Sequence, residues 1–254
     1  MARTAALLAV LAAVAAALTG CGTTGVDRPN VSATLILDGS PSAAEVGIYV
    51  AAARGYDDAE GVRLQIRPGT TPVTGLRRLR SGSATFAVLD IHDLAIARER
   101  GTDVVGVMAI TQLPSADRAR AALRAHGRFA TAQRVDFADA PRYPELVLTT
   151  TGRVLREQPA VARAAIAAIT RGYAEELQDP EAALQLELDR VSPRREAALR
   201  AELPRVEAGF VGADGEIGVL DRPALRRWAA WEARAGIVGR APDVERMFPP
   251  LPAR

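Results

Sequence analysis

The stretch LDGSPSAAEVGIYVAAARGYDDAEGVRLQI, Leu37 to Ile66, decides the fold. It ends a strand, turns on small polar residues, runs as an apolar helix to Gly55 and re-enters a strand at Val62. A strand, a helix and a second strand make a βαβ unit, which lays the two strands parallel. The alternation extends outward on both sides. Upstream lies ATLILD (33–38); downstream come VRLQIR (62–67), a helix from about Pro72 to Arg80, ATFAVLD (84–90), a helix to about Arg100, and DVVGVMAI (103–110). Several of these strands are nearly unbroken apolar runs, the pattern of a parallel sheet covered on both faces. The expected core is a doubly wound α/β lobe.

Further on the pattern thins. SADRARAALRAHG (115–127) reads as a helix stopped by Gly127, TAQRVDF (131–137) as a strand and PELVLTTT (144–151) as another. From Arg153 the chain turns helical, with Val161, Ala165, Ala168 and Ile169 on one stripe. DPEAALQLELDR and SPRREAALRAEL open with Asp or Ser before Pro, a favoured helix start, and Asp221-Arg222-Pro223 opens a last long helix to about Ala235. Trp228 and Trp231, three apart on that helix, read as core residues.

The chain begins with Arg3, an apolar run from Ala5 to Leu18, and Leu18-Thr19-Gly20-Cys21. That run is shorter than the roughly 20 apolar residues of a membrane span and fits the h-region of an export signal, residues 1–20. The four residues ending at Cys21 resemble the bacterial lipobox, so the expectation is a lipid-anchored protein on the extracytoplasmic face of the cell membrane, with residues 21–31 as a flexible tether. Cys21 is the only cysteine. Disulfides, thiolate metal sites and cysteine catalysis are therefore excluded in the mature chain. All 32 basic residues are Arg, interspersed among 30 Asp and Glu for a net charge of +2. Such interspersion is a solvated surface, and with few aromatics for base stacking no nucleic-acid partner is expected.

Three strand-to-helix junctions, LDGSPSAAE, RPGTTPVTG and LDIHDLA, each supply short polar residues at a helix N-terminus. In an open parallel sheet such junctions lie along the C-terminal edge, where ligands bind. Free N–H groups there favour carboxylate, sulfonate or phosphate oxygens or polar ring edges. The candidate ligand-binding residues from this reading are Asp38, Ser40, Ser42, Thr70, Thr71, Asp90 and His92. Taken singly, each also reads as an ordinary cap or turn residue. The first turn lacks the glycine spacing and Lys of a Walker loop, so nucleotide hydrolysis has no support. His126, beside a Gly stop, reads as a C-terminal cap. Two distant histidines make neither a metal site nor a catalytic dyad, and no nucleophile with a nearby base is visible. No enzyme activity, cofactor or metal is expected.

As a set, LILDGSPSAAEVGIYVAAARGYDDAEGVRLQI, LRSGSATFAVLDIHDLAIARERGTDVVGVMAITQLP, YPELVLTTTGRVLREQP, ITRGY, DPEAAL and the closing LRRWAAWEARAGIVGRAPDVERMF resemble the solute-binding lipoproteins of ABC importers of the ThiY and SsuA type. The resemblance covers most of residues 33–113 and 137–248, in the same order. It implies a periplasmic-binding-protein type II fold of two lobes closing on a small polar solute, with delivery to an ABC permease and ATPase complex. Such a protein acts as a monomer. It adds Tyr143 to the candidate ligand-binding residues, from near the return crossover, and Glu45, in the opening turn. Two departures stand out. The family's opening turn carries an aromatic, then Pro-Asn and often His; here Gly39, Ser40, Pro41, Ser42 and Glu45 occupy that stretch and only the Pro persists. Glu45 would oppose an anionic ligand. The segment that builds most of the second lobe is also short. Between Leu113 and Tyr143 lie only 29 residues, whereas one βαβ unit alone takes about 30 or more. The expected organisation is one α/β lobe from 32–112 and 152–254, a reduced second lobe at 113–151 and a helical C-terminal region. A eukaryotic branch of the superfamily is enzymatic through a cysteine-rich iron site and a histidine, and this chain lacks those cysteines. The remaining alternative is a degenerate, binding-incompetent lipoprotein acting as a sensor or interaction module.

Overall fold

A computed structural model describes residues 30–39, 42–188 and 193–252. The expected signal peptide, Cys21, Ser40 and Pro41 lie outside the described residues. Five strands form one sheet in the order β2-β1-β3-β5-β4: β1 Val31–Ile36, β2 Val62–Arg67, β3 Phe86–Asp90, β4 Val104–Thr111 and β5 Leu146–Thr151. β1 pairs in parallel with β2 and β3, as the βαβ pattern requires. β5 is antiparallel to both β3 and β4. The sheet is thus mixed, and β4 runs in the same direction as β3. Residues 146–151, which the sequence grouped with the reduced second lobe, lie inside this sheet.

β3 and β4 are buried along their whole length, as their apolar runs dictate, while β2 alternates and forms an edge. Phe86 and Val88 face one core with Leu35, Ile48, Leu148 and Tyr173. Ala87 and Leu89 face the other with Leu94, Trp228 and Phe248. The two-residue period of a strand divides these side chains between the faces. α1 (Val46–Ala53) follows a 3-10 turn at Ala43–Glu45; α2 (Tyr56–Ala59), α3 (Thr74–Arg80) and α4 (Ile91–Glu99) complete the first crossovers. Trp228 and Trp231 are both buried, as expected from their spacing.

Between β4 and β5 the chain forms α5 (Ala116–Ala125) and α6 (Phe129–Arg134) and no strand. The expected strand at 131–137 is therefore corrected. Ala132 and Val135, three residues apart, are the buried pair, which is the spacing of a helical turn. α7 (Gly152–Glu157) leads into the 20-residue α8 (Pro159–Gln178). α8 crosses α1 where Gly172 meets the carbonyl of Gly47, an approach that leaves no room for a Cβ. α9 (Pro180–Leu188) lies against α1 and α10 (Pro193–Glu207) against the 3-10 turn, with Leu184, Leu199 and Leu203 in one apolar cluster with Ala43, Val46 and Val50. α11 (Arg222–Arg234) carries the tryptophans, and α12 (Val244–Met247) ends the helical set. Among the described residues no helix is long and apolar enough to cross a membrane.

Candidate functional site

The strands β1, β3 and β4 end at one edge of the sheet, and β5 begins there. Glu145, one residue before β5, accepts from Ile91 N at 3.0 Å and donates its own N–H to Thr111 O at 2.8 Å. These two bonds lash three strand ends together. They place Asp90 and Glu145 at that edge, and Asp38, two residues past the end of β1, lies at the same edge.

In the opening turn Gly39 adopts φ 85°, a left-handed conformation that favours glycine. Glu45 folds back into that turn. Its Oε1 accepts from Asp38 N at 2.9 Å, and its Oε2 accepts from Ser42 N and Oγ at 3.3 Å. Ser42 and Glu45 thus form a reciprocal cap. Thr70 and Thr71 are exposed, and their N–H groups donate to Thr74 Oγ1 at 3.3 and 3.0 Å. Gly69 presses the Thr70 loop against the first turn, since a Cβ there would stand 2.7 Å from Gly39 N.

Asp90 caps α4 by accepting from His92 N at 2.8 Å. The His92 ring is wholly buried, with Nδ1 2.8 Å from Glu232 Oε2 and Nε2 3.2 Å from the Tyr143 hydroxyl Oη. Burial alone would depress this imidazole, but the charges of Glu232, Asp90 and Glu145 overcome it and lift its pKa to about 10. The protonated ring therefore donates to both partners. Burial, reinforced by Glu145, Asp90 and Glu232, pushes the Tyr143 phenol up, so it stays neutral. The Tyr143 and Trp231 rings stack at 6.1 Å beside the histidine.

Each carboxyl at this edge is pushed up from its ordinary value. Burial, with Asp90's charge adding and Arg118 opposing, raises Asp38 to about 7. Burial and Asp38 raise Glu45 to about 8, and burial and Asp90 raise Glu145 to about 9. Asp90 rises to about 6, chiefly through burial, although the His92 charge holds it down. Asp93, one turn along α4, is raised well above the usual range by burial and by Asp38. It lies 2.9 Å from His126 Nε2, but neither group is aligned for a hydrogen bond. Burial, with Arg100 and Arg128, lowers His126 to about 4, so that ring is neutral. Arg118, in the first turn of α5, reaches Asp38 Oδ2 at 3.2 Å.

The structure thus brings Asp38, Ser42, Glu45, Asp90, His92 and Tyr143 to one edge, with the exposed Thr70 and Thr71 at its side. Sequence reasoning missed Asp93, Arg118, Glu145 and Glu232. Three of these had a visible signal: a lone acid opening an apolar strand (Glu145), and acids on otherwise apolar helix faces (Asp93, Glu232). Two cavities of about 550 and 500 Å³ lie at the opposite edge and share Thr102 and Asp103.

The fold is similar to that of solved binding proteins. The structure matches the periplasmic aliphatic sulphonate binding protein SsuA of Escherichia coli with TM-score 0.58 and 11% identity, over 89% of this chain and 95% of that one. It matches the ligand-binding component of a Staphylococcus aureus ABC-type import system, solved with zinc bound, at 0.60 and 10%, over 88% and 97%. A Candida albicans gene product described as having the generic periplasmic binding protein fold matches at 0.58 and 10%, over 89% and 99%. The class is that of the periplasmic-binding-protein fold. The family model described as NMT1/THI5 like matches residues 43–119 and 117–183, over half of the chain, and the chain belongs to that family. No curated protein sequence matches it.

Proposed function

We propose that this protein is an extracytoplasmic solute-binding lipoprotein of an ABC importer, which captures a small polar molecule without chemical change. The observation that carries this reading is the convergence of Asp38, Asp90 and Glu145 at the strand ends of a periplasmic-binding-protein sheet. That edge is where open α/β sheets bind ligands. The relatives add support: one is a sulphonate-binding protein and another is the ligand-binding part of an import system. In this reading Asp38, Ser40, Ser42, Glu45, Asp90, His92 and Tyr143 form or back the site, and Thr70 and Thr71 line its mouth. The sheet and its crossovers carry most of the site in this reading, and the segment between β4 and β5 forms a reduced opposing face. Cys21 carries lipid that holds the protein beside a permease and ATPase.

A thermal-shift and calorimetric screen against thiamin-pyrimidine precursors, sulfonates and related nitrogen and sulfur compounds tests the reading. Saturable binding by one class is expected. Metabolic labelling with a radioactive fatty acid tests the anchor: label should appear on the protein and vanish in Cys21→Ala. A second reading is favoured by one observation, that Arg118 reaches across to Asp38 while the site's acids are buried. On that reading the edge is closed and the protein is a binding-incompetent sensor or interaction module. No shift with any compound in the screen would favour it.

A further inference from the structure

The lip of the C-terminal edge already holds a cation. The Arg118 guanidinium, about one-third exposed, pairs with an Asp38 carboxyl that is only 10% exposed. Behind that pair the acceptors are in excess. Asp38 Oδ1, Asp90 Oδ2 and Glu145 Oε1 are buried and accept no hydrogen bond. Asp90 and Glu145 are 2% and 1% exposed, so solvent does not satisfy them. Buried acceptors left unpaired are costly, and a group that brings several N–H donors with a positive charge relieves that cost most. An anionic solute would bring further acceptors to a place that lacks donors. A neutral solute would supply donors without charge.

We infer that this site takes a small cationic solute, an amidine, guanidine or amine, and that Arg118 occupies the solute's place at the lip until it binds. The inference rests on the solute-binding reading of this edge and names its ligand class. Arg118 is well placed to give way. Its backbone is fixed by the N–H bond to Ser115 Oγ at 3.3 Å and by α5, which is seated on Ala119, Ala122 and Leu123. Its side chain alone can turn outward to water. The raised Glu145 carboxyl fits the same picture, since a buried acid with no cation paired to it keeps its proton instead.

The test uses three probes of one shape and different charge, benzamidine, benzamide and benzoate, on the purified full-length protein, read by tryptophan fluorescence during thermal unfolding and by calorimetry. Benzamidine should bind Arg118→Ala about tenfold tighter than wild type, and benzamide and benzoate should leave the melting temperature unchanged. Adding Asp38→Asn to Arg118→Ala should abolish the benzamidine response. Arg118→Gln keeps much of the stem and serves if the Ala variant does not fold. Equal benzamidine affinity in wild type and variant overturns the role of Arg118. Tighter binding of benzoate or benzamide overturns the cationic class while leaving solute binding standing. If none of the three probes, and no compound of the wider screen, moves either protein, the solute-binding reading falls and this inference falls with it.

Discussion

At the C-terminal edge of the sheet, His92 and Glu232 lie 2.8 Å apart with side chains fully buried. At the opposite edge Asp103 stands 3.6 Å from both Arg98 and Arg156, with 54% of its side chain exposed. Similar groups thus meet at two ends of one sheet in opposite solvent conditions. Water screens the second set, so its pairings contribute little. The first set has lost its water, and each charge there depends on a protein partner. The functional reading belongs to the buried edge, although two open cavities lie at the other.

The largest expected effect breaks the buried pair. Glu232→Ala should leave the His92 charge unpartnered and lower unfolding free energy by about 3–5 kcal/mol, measured by urea denaturation. Gly172→Ala comes next, because its methyl would meet the carbonyl of Gly47 where α1 crosses α8. The expected loss is about 1–3 kcal/mol, with a lower thermal midpoint.

The pH dependence sharpens the comparison further. His92 moves up from 6.5 to about 10, Glu145 from 4.5 to about 9, Glu45 from 4.5 to about 8 and Asp38 from 3.8 to about 7. Each shift is upward, so between the ordinary and the folded values the native state binds more protons than the unfolded chain. Stability must then fall as pH rises through that window. The carboxyls lose their contribution from about pH 4 upward and His92 from about 6.5 to about 10. Urea midpoints should therefore correspond to about 2–3 kcal/mol less stability at about pH 9 than at about pH 5. Below that range the exposed carboxylates behave oppositely. Asp58 is held down by Asn30 and Arg63, and Glu175 by Tyr56 and Arg54, so their contributions vanish as pH falls. The smallest effect is at the solvated edge. Arg153→Ala breaks an i,i+4 pair with Glu157 at 3.3 Å, half-exposed on both sides. It should change stability by less than about 0.5 kcal/mol.

Much of the fold was legible because it is written in local periods. The strand VRLQIR coincides with β2, and the junctions after Asp38 and Asp90 fall where the turn and cap residues place them. The direction of β5 was not legible, because an apolar strand carries no mark of which neighbour it will join. The helix at Phe129–Arg134 was misread since a short segment with Ala, Thr and Val fits either period until its packing partners are known. Site residues divided in the same way. Asp38 and Asp90 announce themselves by sitting at strand ends, and Ser42 by opening a helical turn. The bond from His92 to Glu232 spans 140 positions and Arg118 reaches Asp38 across 80, so no local pattern could reveal either.

Hydrogen–deuterium exchange with a solute that raises the melting temperature tests the central claim most directly. The account predicts added protection at residues 38–45, 90–93, 115–118 and 143–146, with exchange unchanged at 98–104 and 238–247. Protection confined to the second set, around the two cavities that share Thr102 and Asp103, would contradict it.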